Sequence, residues 1–108
     1  MKVASFNVNS IRARLKIVLD WLQKESPDVL CLQETKVTDA EFPQAAFEDI
    51  HYHAVFCGEK SYNGVAILSK IPLKNVRMGF DESGSEGTRL ITATVNKISI
   101  VNTYIPQG

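Results

Sequence analysis

Gln33, Glu34 and Lys36 form the part of this sequence best suited to chemistry, because they directly follow the apolar residues 29–32. Such a run predicts a buried strand that delivers polar groups at its carboxyl end, where α/β sheets bind ligands and metals. Mg²⁺ prefers oxygen donors and usually takes few protein carboxylates. Glu34 is therefore a candidate Mg²⁺ ligand, and pairing with Lys36 or Arg12 is the structural alternative.

Two asparagines, Asn7 and Asn9, lie at the end of another predicted strand. Asparagine is unfavourable inside strands, so two asparagines at this position indicate a specific structural or functional role. One reason is an Asx turn that leads into a helix capped by Ser10. The other is that amide oxygens or N–H groups face a metal ion or a phosphate.

Basic side chains accompany these residues. Arg12, Arg14 and Lys36 lie near the predicted start of a helix, where basic groups and unpaired N–H donors can hold phosphates. Solvated surface charge is the alternative for Arg14. Tyr104, with Asn102 two residues before it, closes the last predicted strand. It is either a half-buried core residue or a phenol directed at a phosphate.

The first third of the chain predicts a βαβ unit that would bring these groups together. Residues 3–8 read as a short strand, and Ser10 is a plausible N-cap. Apolar residues at helical spacing follow, and Pro27 ends that helix. They are Ile11, Leu15, Val18, Leu19 and Leu22. Since βαβ strands are parallel, we expect Asn7, Asn9 and Glu34 at one edge of the sheet.

The remainder of the chain is rich in predicted strands. We expect a short helix over residues 40–49, strands over 52–57 and 65–69, and an acidic, glycine-rich loop over 79–88. Residues 90–95 and 98–105 predict a hairpin that turns at Asn96-Lys97. The fold class is α/β, a mixed sheet with flanking helices. With about two helices, one face of that sheet is expected to be uncovered, which indicates a partner surface or an incomplete domain.

Composition limits the classes of protein that fit. The chain has 108 residues, of which 44% are hydrophobic, so we expect one folded domain over residues 1–108, apparently incomplete at its C-terminus. Its formal net charge of +0 argues against a strongly basic nucleic-acid binder, although residues 1–36 carry six basic and four acidic side chains. Cys31 and Cys57 lie in apolar segments and predict buried free thiols in a reducing cytosol. Neither a signal peptide nor a transmembrane segment is evident, so a cytoplasmic protein without membrane contact is expected.

Motifs in a fixed order along the whole chain carry a resemblance to a known family. They are SFNVNSIRA at 5–13, PD and QETK within 27–36, YNGVAIL at 62–68, RLI at 89–91 and NTYIPQG at 102–108. On these motifs the chain resembles the exonuclease III family of DNA-repair nucleases, within the endonuclease/exonuclease/phosphatase superfamily. The resemblance implies a four-layer α/β sandwich of two similar halves, with this chain as the first half.

The resemblance also implies an activity and a set of site residues. Family members cleave DNA beside abasic sites, and many remove nucleotides from 3′ ends, with Mg²⁺ or Mn²⁺ as cofactor. By resemblance Glu34 is the metal carboxylate, Asn7 belongs to the same metal and phosphate site, and Asn9 lies close to it. Tyr104 matches the tyrosine that faces the scissile phosphate. The positions expected near double-stranded DNA are Arg12, Lys36 and Gln107.

Two elements of the family pattern have no counterpart in this sequence. They are the Asp-x-Asn element that aligns the attacking water and a late Asp-His pair, both expected after Gly108. Because hydrolysis at neutral pH needs a base as well as a Lewis acid, the chain alone is expected to have weak or no activity. The expected partner that supplies the missing residues is a complementing C-terminal half, or a second copy of the chain through self-association. A non-catalytic half-domain that binds DNA or such a partner is the alternative function.

Overall fold

The computed structural model describes residues 1–79 and 87–105 of the chain. Two α-helices and seven strands occur in these ranges, together with 3₁₀ turns at Asp39–Glu41 and Gly87–Arg89. In chain order they are β1 (Val3–Asn7), α1 (Ile11–Glu25), β2 (Val29–Gln33), α2 (Gln44–Glu48), β3 (His53–Cys57), β4 (Val65–Ser69), β5 (Lys74–Met78), β6 (Leu90–Val95) and β7 (Ile98–Thr103).

The predicted βαβ unit is confirmed. β1 pairs in parallel with β2, with Asn7 opposite Gln33. Ser10 caps α1, since its Oγ accepts a hydrogen bond from the Ala13 N–H at 3.3 Å. Ser26 ends α1 in the left-handed region, with φ of 48°, directly before the proline that stops the helix. This unit places the ends of β1 and β2 beside each other.

The strands form two sheets. The first has the order β1-β2-β4-β3 and is mixed, as predicted, because β4 runs antiparallel to β2 and β3. The second is antiparallel, with the order β5-β6-β7. The expectation that one face of the mixed sheet is uncovered is wrong, because the second sheet packs on it and all five residues of β4 are buried.

Two apolar cores result from this layering. One lies between the helices and the first sheet, and its fully buried members include Ile11, Val18, Leu22, Leu30, Leu32, Phe47 and Leu68. The other lies between the two sheets and contains Val29, Cys31, Val65, Ile67, Ile91, Ala93, Val95 and Ile100. Since β2 contributes to both cores, its four apolar residues are buried on both faces.

Two predictions about local structure need correction. The helix expected over residues 40–49 is instead the 3₁₀ turn Asp39–Glu41 followed by α2. Phe42 is extended, with ψ of 130°, because a following proline disfavours the helical conformation. Strand β5 was not expected, since only Val76 among its five residues is even half-buried.

The predicted β6–β7 hairpin is confirmed, although β7 ends at Thr103 instead of residue 105. Asn96 and Lys97 have φ values of 49° and 70°, as a tight hairpin turn requires. Most of the expected acidic loop, residues 80–86, lies outside the described residues. In the ranges that are described, no helix combines the length and apolar character needed to cross a membrane.

Candidate active site

Glu34 and Tyr104 are 70 residues apart in sequence but in contact in the structure. Glu34 directly follows β2, and Tyr104 follows β7 of the second sheet. The Tyr104 hydroxyl donates a hydrogen bond to Glu34 Oε1 at 3.1 Å. The packing of one sheet on the other therefore brings the candidate carboxylate and the candidate phenol together.

Lys36 extends this cluster towards β1. Its Nζ donates to Asn9 Oδ1 at 2.6 Å and lies 3.9 Å from Glu34 Oε1. The side chains of Lys36 and Glu34 are 31% and 22% exposed, so water screens the pair only in part. Of the two structural partners expected for Glu34, the structure provides Lys36 and not Arg12.

Asn7 and Asn9 lie at the same edge, as the parallel pairing of β1 and β2 predicts. Asn7 Oδ1 accepts a hydrogen bond from the Asn9 N–H at 3.1 Å, which is the Asx turn expected before the Ser10 cap. Both side chains are exposed. The hydrogen bond from Lys36 to Asn9 connects Asn9 to the Glu34 cluster. The structural interpretation of the two asparagines is thus present, and their role in a metal site stays a prediction.

Residues 34–36 form a strained turn that neighbouring backbone holds from two sides. Glu34 and Lys36 have φ values of 55° and 58°, in a region that residues other than glycine seldom adopt. The Glu34 carbonyl accepts from the Ser10 N–H at 2.8 Å, and the Lys36 N–H donates to the Asn63 carbonyl at 2.9 Å. Strain that surrounding structure holds in this way is typical of functional sites.

The environment of Tyr104 favours its protonated form. Burial raises the pKa of Tyr104, and so do its hydrogen bond to Glu34 and the negative charge of that carboxylate, while Arg89 acts in the opposite direction. At neutral pH the phenol is therefore a hydrogen-bond donor. A donor at this point can hold a carboxylate in place or contact a phosphate oxygen.

Two polar residues next to the cluster, Gln33 and Asn102, were named at predicted strand ends but were given no role in the site. Asn102 is only 2% exposed, and its Oδ1 accepts from Gln33 Nε2 at 2.7 Å. Gln33 precedes Glu34, and Asn102 is two residues before Tyr104. The position of Asn102 on the same face as Tyr104 was the available signal, but sequence alone could not show its partner.

Arg12 has no described contact with this cluster. Arg12 is at the start of α1, where its Nη1 lies 3.8 Å from Glu41 Oε2 and both side chains are largely exposed. None of the described contacts joins Arg12 to Glu34. Gln107 lies outside the described residues.

The chemistry of the donor set fits a hard divalent cation with few protein ligands. The described residues contain no cluster of three or more His, Cys, Asp or Glu side chains suited to a metal ion. Glu34 is the carboxylate of the site, and amide oxygens of Asn7 and Asn9 lie at the same sheet edge. Mg²⁺ commonly takes one or two carboxylates and completes its shell with water and phosphate oxygens. These oxygen donors are of the kind that such an ion takes, and their role in a metal site stays a prediction.

Comparison with known proteins agrees with this geometry. The sequence profile of the Endonuclease/Exonuclease/phosphatase family matches residues 4–106, so the chain belongs to that family. Exodeoxyribonuclease III of Haemophilus influenzae is 38% identical to the whole chain, which covers 42% of that protein. The DNA repair nuclease APEX1 of Danio rerio is 40% identical to the whole chain, which covers 37% of it.

A solved structure shows the same fold. An AP endonuclease from Archaeoglobus fulgidus matches the whole chain with a TM-score of 0.96 and 51% identity, and the chain covers 42% of it. The resemblance to the exonuclease III family and the predicted α/β fold class are thereby confirmed. The chain spans about two-fifths of the length of these relatives.

Proposed function

We propose that this sequence is the N-terminal part of a Mg²⁺-dependent DNA phosphodiester hydrolase of base-excision repair. Its substrates are double-stranded DNA with abasic sites, which it incises, and DNA 3′ ends, from which it removes nucleotides. The contact between Glu34 and Tyr104, at the edge that also carries Asn7, Asn9 and Lys36, is the observation that carries the proposal. The names of the similar nucleases support the DNA substrate.

The proposal gives each side chain of the site a role. Glu34 and Asn7 hold the divalent ion, and Asn9 lies next to the metal site. Mn²⁺ can replace Mg²⁺ because both ions take oxygen ligands. When bound, the ion supplies a Lewis acid that withdraws charge from a phosphate oxygen. Tyr104 donates its hydroxyl proton in a hydrogen bond, first to Glu34 and then towards the scissile phosphate.

Three further residues are proposed to hold the DNA backbone: Arg12, Lys36 and Gln107. The position of Lys36 supports this role, since its ammonium group lies 3.9 Å from Glu34 Oε1. Arg12 is largely exposed at the start of α1, where the helix dipole adds positive potential. Contacts of this kind position DNA without reading its sequence.

Catalysis is proposed to need residues outside this sequence. Cys31 and Cys57 stay protonated at neutral pH, because burial raises the pKa of both thiols, with Asp39 and Glu59 adding to the effect at Cys57. The expected Asp-x-Asn and Asp-His elements would lie in a complementing C-terminal half. Exposed apolar side chains beside the open edge of β1 offer that half a surface: Val3 (50%), Phe6 (41%) and Trp21 (37%).

Incision of a duplex with one abasic site tests the proposal. The full-length protein is assayed with Mg²⁺, with EDTA and as the Glu34→Ala variant, and Asp20→Ala on the exposed face of α1 is the control. We expect Mg²⁺-dependent incision that the control retains and that Glu34→Ala reduces by at least about 100-fold. Unchanged turnover by Glu34→Ala would contradict the role of Glu34, and no cleavage of any DNA by the wild type would contradict the function.

A further inference from the structure

Asn102 fixes the end of β7 onto the middle of the first sheet. Its Nδ2 donates to the backbone carbonyls of Leu32 and Ala66, both at 2.8 Å. Leu32 and Ala66 face each other across β2 and β4. With Oδ1 accepting from Gln33, the buried amide of Asn102 has used both of its donors and its acceptor.

Gln33 completes the connection from the other sheet. Its Nε2 donates to Asn102 Oδ1 at 2.7 Å and to Ser5 Oγ at 2.9 Å. The Gln33–Asn102 bond therefore joins β2 to β7, the strands that lead to Glu34 and Tyr104, and the separate bond to Ser5 reaches β1. In a partly buried position, polar networks of this kind hold one arrangement more firmly than apolar contacts do.

We propose that Gln33 and Asn102 are positioning residues that place the Tyr104 hydroxyl on the Glu34 carboxylate. Gln33 is one residue from Glu34, and Asn102 is two residues from Tyr104, so the bridge fixes both sides of that contact. The Tyr104–Glu34 bond itself is single and longer, at 3.1 Å. It cannot by itself set the distance between two sheets that are packed through apolar side chains.

The inference rests on the proposed function for its effect on turnover, but its geometry is independent of that function. Gln33→Met removes the amide while keeping the length of the side chain. Gln33→Ala removes the same amide and leaves room for a water molecule on Asn102, which protects folding if the first variant is unstable. Ser5→Ala is the matched control, since it removes the other acceptor of Gln33 and leaves the bridge intact.

Kinetics of the full-length protein on an abasic duplex give the first readout. We expect Gln33→Met to lower kcat by about 10- to 100-fold, the range of a misplaced catalytic group, with KM changed less than about twofold. Adding Tyr104→Phe to Gln33→Met should cost little more, because the hydroxyl is already misplaced. Ser5→Ala should keep the wild-type kcat. Full additivity of the two substitutions would overturn the inference.

Crystal structures of the full-length wild type, of Ser5→Ala and of both Gln33 variants give a readout that does not need activity. The phenol–carboxylate contact should persist in the wild type and in Ser5→Ala and be lost in the Gln33 variants. A contact retained in both Gln33 variants would overturn the bridge, whatever their activity. If the wild type cleaves no DNA, the proposed function is wrong. The crystal structures would then still decide whether Gln33 and Asn102 position the Tyr104–Glu34 contact.

Discussion

Gly64 and Thr35 approach so closely that no side chain fits at the glycine. A β-carbon on Gly64 would lie 2.0 Å from Thr35 Oγ1 and 3.1 Å from the Lys36 nitrogen. Thr35 is buried, and its N–H donates to the Gly64 carbonyl at 3.2 Å. The turn before β4 therefore packs directly against residues 34–36 and restricts their conformation.

Gly64→Ala should displace the turn that carries Glu34 and Lys36. The new β-carbon meets Thr35, and φ of 96° is itself unfavourable for alanine, so we expect a loss of about 3 kcal/mol or more in unfolding free energy. Urea denaturation measures this loss. Asn63→Ala is the control, since Asn63 also has a positive φ, of 50°, but already carries a β-carbon. Equal losses in the two variants would show that the close approach is unimportant.

Arg12→Ala should affect DNA binding far more than stability. The ion pair with Glu41 is exposed, at 72% and 50% of the two side chains, so its removal should change the unfolding free energy by less than about 0.5 kcal/mol. If Arg12 contacts a phosphate, the salt dependence of DNA affinity should fall by about one unit of slope.

Fluorescence anisotropy of a labelled abasic duplex, measured in EDTA over a range of salt, gives that slope. Lys24→Ala is the control because Lys24 is an exposed cation in the last turn of the same helix. Equal slopes for Arg12→Ala and Lys24→Ala would show that Arg12 makes no special contact with the DNA backbone.

Cys31 should make the fold less stable at high pH. Burial between the two sheets raises the pKa of its thiol from 9.0 to about 11. Below pH 9 the thiol is protonated in both the folded and the unfolded chain. As pH rises through 11, the unfolded chain loses the proton more readily, and stability falls by up to about 2 to 3 kcal/mol.

The difference in unfolding free energy between wild type and Cys31→Ala isolates this effect, because other groups titrate equally in both. Urea denaturation at pH 8 and pH 10.5 should show the wild type losing more stability than the variant. A pH dependence identical in the two proteins would mean that the thiol is not buried as the structure shows.

The sequence predicted the elements whose patterns are local. Periodicity, the Ser10 cap and Pro27 were sufficient for β1, α1 and β2, and parallel pairing then placed Asn7, Asn9 and Glu34 at one edge. The helix expected over 40–49 is shorter than predicted, at Gln44–Glu48, because Pro43 favours an extended conformation at Phe42.

Features that depend on long-range packing were beyond the sequence. Strand β5 has a mostly exposed, polar pattern and pairs only at the edge of the second sheet, so no alternation marked it. The division into two sheets also follows from long-range packing. The hydrogen bond from Gln33 to Asn102 joins residues about 70 positions apart. Hydrogen-bond partners so far apart in sequence are brought together by the packing of the two sheets, which a local sequence pattern does not predict.

Binding of Mn²⁺ to the full-length protein, measured by electron paramagnetic resonance, shows whether Glu34 is the carboxylate that holds the divalent ion. We expect Glu34→Gln, which keeps the shape of the side chain and removes its charge, to weaken Mn²⁺ binding by at least about tenfold. The control Asp20→Asn removes a carboxylate from the exposed face of α1 and should bind as the wild type does. Equal Mn²⁺ affinity in wild type and Glu34→Gln would contradict the claim.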